Sequence, residues 1–206
     1  MRYDLEIIAG WVKPGSRVLD LGCGSGELLD YLKKQKRVRG SGIESAEAQV
    51  AECIEKGLQV LQGDINEEIR DYPDQSFDYV ILSQTLQQVY QPQELIHELL
   101  RVGKQVIVSF PNFSHWSIRL QLLVNGYAPK NRQLPYDWYD TPNIRVITLR
   151  DFRIFAQKFG CRIDREAPVK SPKEDGPGRL LRFLPNLRAT YGIFMISRGQ
   201  ESTAPS

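Results

Sequence analysis

The stretch VLDLGCGSGELL, residues 18–29, runs as an apolar strand into three glycines spaced two apart, then resumes as a helix former. Glycine lets the backbone turn through positive φ and lets a ligand approach it closely. In an open α/β sheet, ligands bind beyond the carboxyl ends of the strands, and Gly22, Gly24 and Gly26 fall at such an end. The helix that follows offers free N–H groups and the positive end of its dipole. A dinucleotide fingerprint, G-x-G-x-x-G read from Gly22, calls for glycine where the chain has Glu27. An acid there is also a poor neighbour for a pyrophosphate. The pattern that fits is acid-x-G-x-G-x-G, met by Asp20 and the three glycines. A ligand without phosphate but with a cationic amino group and a sulfonium suits that acid, which favours S-adenosylmethionine (SAM) over NAD. Cys23, between two of the glycines, reads as a small side chain fitting behind the backbone; nothing nearby in sequence activates it as a nucleophile.

Two further acids follow in order. Glu44 in GSGIES closes the second strand, where a carboxylate can accept both hydroxyls of a ribose. Taken alone it is equally a solvated helix-start acid. Asp64 in LQGDINE follows the third strand and can accept from an adenine amino group. The plain alternative for it is helix N-capping. Ile65, the next residue, joins the candidate cofactor set. Three acids in succession, each at a strand's carboxyl end, point to an adenosyl site more strongly than any one of them.

Outward from this motif, short β-rich runs alternate with helical patterns, the signature of an α/β fold with a largely parallel sheet. An opening helix is expected at 4–12, strands at 16–21, 38–43, 58–62, 77–83 and 104–109, and helices at 26–36, 46–56 and 93–102. After Ser109 the pattern changes. Residues 111–147 hold a helix at 114–124 and the aromatic, proline-broken run QLPYDWYDTPNIRVI, which reads as an insertion or lid. Thr148 and Asp151 form a weak capping box for a helix ending at Gly160. Strands at 161–166 and 190–197 flank the linker SPKEDGPGR, and a tail from Gly199 is expected to be disordered. The expectation is therefore one domain over 1–198: a seven-stranded, mostly parallel Rossmann-like sheet of the SAM-methyltransferase type. Helices cover both faces, the final strand is antiparallel, and a lid follows the fifth strand.

Composition narrows the function class. The 206 residues carry a formal charge of +2, which gives no electrostatic reason for a nucleic-acid or membrane partner. No apolar run approaches the ~18 residues of a spanning helix. Cys23, Cys53 and Cys161 lie far apart outside any CxxC spacing, which implies neither a disulfide framework nor a zinc site and suits a reducing cytoplasm. His97 and His115, the only histidines, give no metal site either.

Candidates for chemistry are fewer. The fourth strand ends in ILSQTLQQVYQPQEL, without an Asp/Asn-Pro-Pro-aromatic run or a Pro-Cys pair, which disfavours base amino-group and cytosine C5 methylation. Ser83 and Gln84 there can position a ligand. His115 in SFPNFSHWSIRLQLL is either a general base or a helix-start histidine making a local hydrogen bond. The aromatic run Tyr136–Tyr139 walls a substrate, presents a partner surface, or packs across the sheet edge.

Several stretches together resemble the methionine-biosynthesis protein MetW family: DLEIIAGWVKPGSRVLDLGCGSGELL, VLQGDINEEI, PDQSFDYVILSQTLQ, VSFPNFSHWSIRLQLL and LPYDWYDTPNIRVITLRDF. The resemblance covers about residues 1–167; FPN-x-x-H-W and LPY-x-WYDTPN-I are its most specific segments. It implies a methyltransferase-like fold and a role in methionine biosynthesis alongside homoserine O-acyltransferase. Carried onto this chain, it puts Asp20, Gly22, Gly24, Glu44 and Asp64 in the cofactor pocket and assigns no methyl acceptor.

Overall fold

A computed structural model of the chain describes residues 1–130, 134–171 and 178–199. The opening helix α1 (Tyr3–Trp11) leads into four βα units and a fifth strand. These are β1 (Arg17–Leu21), α2 (Glu27–Lys36), β2 (Arg39–Glu44), α3 (Glu47–Glu55), β3 (Gln59–Gln62), α4 (Ile65–Glu68), β4 (Phe77–Ser83), α5 (Pro92–Val102) and β5 (Gly103–Pro111). The insertion contributes α6 (Trp116–Asn125). The chain then forms α7 (Leu149–Lys158), β6 (Cys161–Lys170), β7 (Arg179–Leu180), α8 (Pro185–Arg188) and β8 (Tyr191–Arg198).

The sheet has eight strands in the order β3-β2-β1-β4-β5-β8-β6-β7, one more than expected. The additional strand, β7, is two residues long and pairs antiparallel with Val169 and Lys170, too short to leave a periodic signal. β1 to β5 are parallel, and β8 runs antiparallel between β5 and β6. β6 reaches Lys170 rather than residue 166, because Ala167, Pro168 and Val169 continue the register against Ile193, Gly192 and Tyr191. The capping box at Thr148 and Asp151 is formed, with Asp151 N–H donating to Thr148 Oγ1 at 3.1 Å and Thr148 N–H to Asp151 Oδ2 at 3.3 Å.

Alternation along the strands builds an apolar layer on each face. Leu19, Val80, Leu82, Val106, Val108 and Phe194 point toward α5 and α7. Val18, Tyr79, Ile81, Ile107, Ile193 and Met195 point toward α1 and α2. Because both faces are covered, these strands read in the sequence as continuous apolar runs, with successive side chains going to opposite layers. Gly199, placed in the expected tail, donates its N–H to the Gly160 carbonyl at 2.8 Å, so order extends at least one residue past β8. Residues 200–206 of that tail and 172–177 of the linker lie outside the described residues. Among the described residues, no helix is long and apolar enough to cross a membrane.

Candidate cofactor site

Strand order reverses about β1: β2 lies on one side of it and β4 on the other. Loops leaving β1 and β4 therefore diverge to opposite faces and open a crevice at the carboxyl end of the sheet. That crevice is a cavity of about 760 Å³, within the range of roughly 300–1,000 Å³ of small-molecule sites.

Gly22 and Gly24 line it from the turn between β1 and α2, whereas Gly26, expected with them in the cofactor motif, does not line it and lies against Leu58 and Cys53; all three have positive φ. At Gly22 the backbone conformation is only half the requirement: a Cβ there would sit 2.8 Å from Thr85 Oγ1, on the loop after β4. At Gly26 a Cβ would run into Leu58 and come within 2.8 Å of Cys53 Sγ. Glycine thus lets two strand-end loops and α3 close around the turn. Cys23 fills the space behind it, its Sγ only 2.6 Å from where a Cβ on Gly42 would lie. Burial first, then the neighbouring Asp20 carboxylate, Cys53 thiol and Glu44 carboxylate, push the Cys23 thiol up, so it stays protonated.

The three acids line this one cavity, as do Cys23, Ile65 and Ser83. Asp20 is buried, and desolvation pushes its carboxyl up to about 7; Arg2 opposes the shift and Glu44 adds to it. Glu44 braces the turn: its Oε2 accepts from Gly24 N–H at 2.9 Å and its Oε1 from Ala46 N–H at 3.0 Å. A carboxylate has about four lone-pair positions, so acceptor capacity remains toward the cavity. Asp64 does cap α4, with Oδ1 accepting from Asn66 N–H at 2.7 Å and Asn66 Nδ2 at 2.8 Å. Capping occupies one of its oxygens and leaves Oδ2 without a donor among the described residues. Ser83 Oγ lies 3.0 Å from Ser109 Oγ, which ties β4 to β5 at the cavity rim.

His115 is elsewhere. It does not line the cavity; it caps α6, with Nδ1 accepting from Ser117 N–H at 3.3 Å and lying 2.7 Å from Ser117 Oγ. Burial, with Lys170 nearby, holds the imidazole below its ordinary pKa and uncharged at neutral pH. The local hydrogen bond anticipated as the alternative is the one observed. Of the aromatic run, Tyr136 reaches the cavity, whereas Trp138 and Tyr139 are exposed rather than packed on the sheet.

Among the lining residues, Arg2 was not singled out in the sequence, and Gln84 was expected there only to position a ligand. Arg2 enters from the start of α1, paired with Asp4 at 3.4 Å, and its Nε is buried without a partner. Gln84, at φ 53, donates Nε2–H to Asp4 Oδ2 at 2.8 Å and so holds that corner of α1 to the end of β4. A non-glycine residue at positive φ after a strand is a sign of strain at a functional rim, but neither residue carries a local motif.

Residues 2–196 match the family model described as methionine biosynthesis protein MetW. The chain belongs to the MetW family. A relative from Rhodopirellula baltica, described as a bifunctional methionine biosynthesis protein MetXA/MetW, is 37% identical over 81% of this chain and 28% of its own length. A Klebsiella pneumoniae ubiquinone biosynthesis O-methyltransferase is 33% identical over 48% of this chain and 43% of its own. The aligned part of this MetW-family chain thus spans less than half the length of either. Among solved structures, a SAM-dependent methyltransferase from Archaeoglobus fulgidus aligns with TM-score 0.70 and 17% identity, covering 95% of this chain and 91% of that one. The cyclase SpnF aligns with TM-score 0.64 and 17% identity, covering 95% and 80%. The fold is that of class I SAM methyltransferases. Its sharing with a protein titled a cyclase shows why reaction type has to come from the site.

Proposed function

We propose that this chain binds SAM in the switch-point cavity and works in methionine biosynthesis together with homoserine O-acyltransferase. The observation that carries the reading is the meeting of Asp20, Glu44 and Asp64, from the ends of three adjacent strands, over one glycine turn. The donor set fits the cofactor end to end. Glu44 accepts from the ribose hydroxyls, and Asp64 Oδ2 accepts from the adenine amino group beside the apolar wall of Ile65. Asp20 faces the cationic methionine end, and the orphaned Arg2 Nε donates to its carboxylate. An anion and a cation side by side are what an amino-acid zwitterion requires.

When bound, SAM supplies an electrophilic methyl group. Among the described lining residues, the β4 end offers Ser83, Gln84 and Thr85 and the insertion offers Tyr136, which orient an acceptor but are weak bases. Methyl transfer here suits an acceptor that arrives already nucleophilic, such as a thiolate, a carboxylate or a free amine. His115 has no part in this reading. A second reading starts from the neutral β4 rim: SAM, made from methionine, reports end-product level to the acyltransferase. That control requires SAM to bind the free and the docked states with different affinity.

Calorimetry with SAM, S-adenosylhomocysteine and 5′-methylthioadenosine tests the pocket. Arg2→Ala is expected to weaken the first two and spare the third, which lacks the carboxylate; no SAM binding by the parent protein overturns the reading. Label transfer from SAM into cell extract separates the donor role from the signalling role. Acyltransferase rates with and without SAM complete that comparison.

A further inference from the structure

The segment FPNFSHWSIRLQLL is a specific part of the family resemblance, yet most of it takes no part in the cavity. It forms the end of β5 and the helix α6, of which Ile118 is the buried residue. On the opposite side Trp116, Leu120 and Leu123 recur at i, i+4 and i+7, one stripe of an α-helix. Trp116 is 50%, Leu120 48% and Leu123 84% exposed, with Leu122 and Val124 exposed beside them. A helix apolar on its outward side is not an ordinary surface helix. Contiguous exposed apolar area of this kind marks an interaction site.

The helix is also held firmly. Asn112 Nδ2–H donates to the carbonyls of Asn186 and Ala189, both at 2.9 Å, and Asn112 Oδ1 accepts from Ser114 N–H at 3.2 Å. Asn186 Nδ2–H reaches Ser114 Oγ at 3.0 Å, Arg119 Nε–H reaches the Ser114 carbonyl at 2.8 Å, and His115 caps the first turn. A rigid, pre-formed apolar helix binds without the entropy cost of ordering it.

We propose that α6 is the docking element through which this chain engages the homoserine O-acyltransferase subunit, its Trp116–Leu120–Leu123 stripe seated in an apolar groove of that enzyme. The inference rests on the partnership proposed above. Two observations choose the occupant. In the Rhodopirellula relative the equivalent unit is 28% of a longer chain whose name joins MetXA to MetW, so there the two units are physically tethered. The stripe itself is one side of a ten-residue helix. A short helix with one apolar stripe suits the helix-in-groove mode, in which a partner's groove covers the stripe and the flanking Val124 together.

The test uses the full chain and the full-length homoserine O-acyltransferase encoded in the same genome, with the affinity measured by calorimetry and the mass by light scattering. Leu123→Lys and Leu120→Lys are expected to weaken the complex at least tenfold while SAM affinity and the circular dichroism spectrum stay unchanged. Val146→Lys, an exposed apolar position outside α6, is expected to bind as the parent does. A complex with the parent that both α6 variants retain overturns the docking assignment and leaves the partnership standing. No complex with the parent, SAM binding intact, overturns both. A parent homodimer that Leu123→Lys splits into monomers assigns the stripe to a second copy and also overturns the proposal.

Discussion

Replacing Asp20 by Asn isolates the electrostatic cost built into the cavity. Burial lifts this carboxyl from its ordinary 3.8 to about 7. In the ligand-free protein above pH 7, Asp20 is ionised in both folded and unfolded states, and the folded state carries the full cost, on the order of 4 kcal/mol. As pH falls through 7 the folded protein takes up a proton that the unfolded chain does not. Stability from this group therefore rises by roughly 1.4 kcal/mol per pH unit toward pH 5. Urea unfolding of parent and Asp20→Asn at intervals from pH 5 to 8.5 reads the difference. The variant is expected to be the more stable at pH 8, by an amount that shrinks steadily toward pH 5, and to bind SAM poorly. A constant gap between the two proteins across that range would refute the buried-carboxylate account. Improved stability with undiminished SAM affinity would instead remove Asp20 from the cofactor.

Glu44→Ala is expected to weaken SAM by about 1.5–3 kcal/mol, the scale of hydrogen bonds to a charged group, and unchanged affinity in calorimetry removes the ribose contact. Gly26→Ala combines a strained positive φ with overlap onto Leu58 and Cys53, for a loss of about 2–4 kcal/mol in urea unfolding. Gly15→Ala has the same sign of φ but meets nothing within 4 Å, so it is expected to lose only about 1 kcal/mol, and equal losses contradict the close-packing argument. His115→Ala removes a helix cap and is expected to cost about 1 kcal/mol of stability while leaving SAM titrations as they were; a large drop in affinity would place His115 in the site after all.

The parallel half of the sheet was legible because each strand there carries its own signal. The apolar run VLDL stops at glycine, and Asp20, Glu44 and Asp64 mark where β1, β2 and β3 end. β6 was expected to end at residue 166 but runs on through Pro168, a residue that cannot donate to a strand ladder. In the sheet it is tolerated opposite Gly192, where its carbonyl accepts from Leu181 N–H at 2.9 Å. The acids of the cavity were readable because each sits at a fixed place in a βα unit. Arg2 was not, because its presence there depends on how α1 packs across α2, a tertiary fact with no sequence period. His115 is the complementary case. A histidine's residue type suggests chemistry, while its position one residue before a helix fixes its hydrogen bond first.

The placement of β8 between β5 and β6 has a consequence for how the protein is made. Residues 191–198 leave the ribosome after every other strand of the sheet, yet they supply the interior strand that joins its two parts. Until they emerge, β5 and β6 each present an open edge, the kind of surface on which nascent chains aggregate. Slow synthesis or chaperone shortage is therefore expected to harm this chain before its final strand is complete, with the cofactor crevice on β1 and β4 already built.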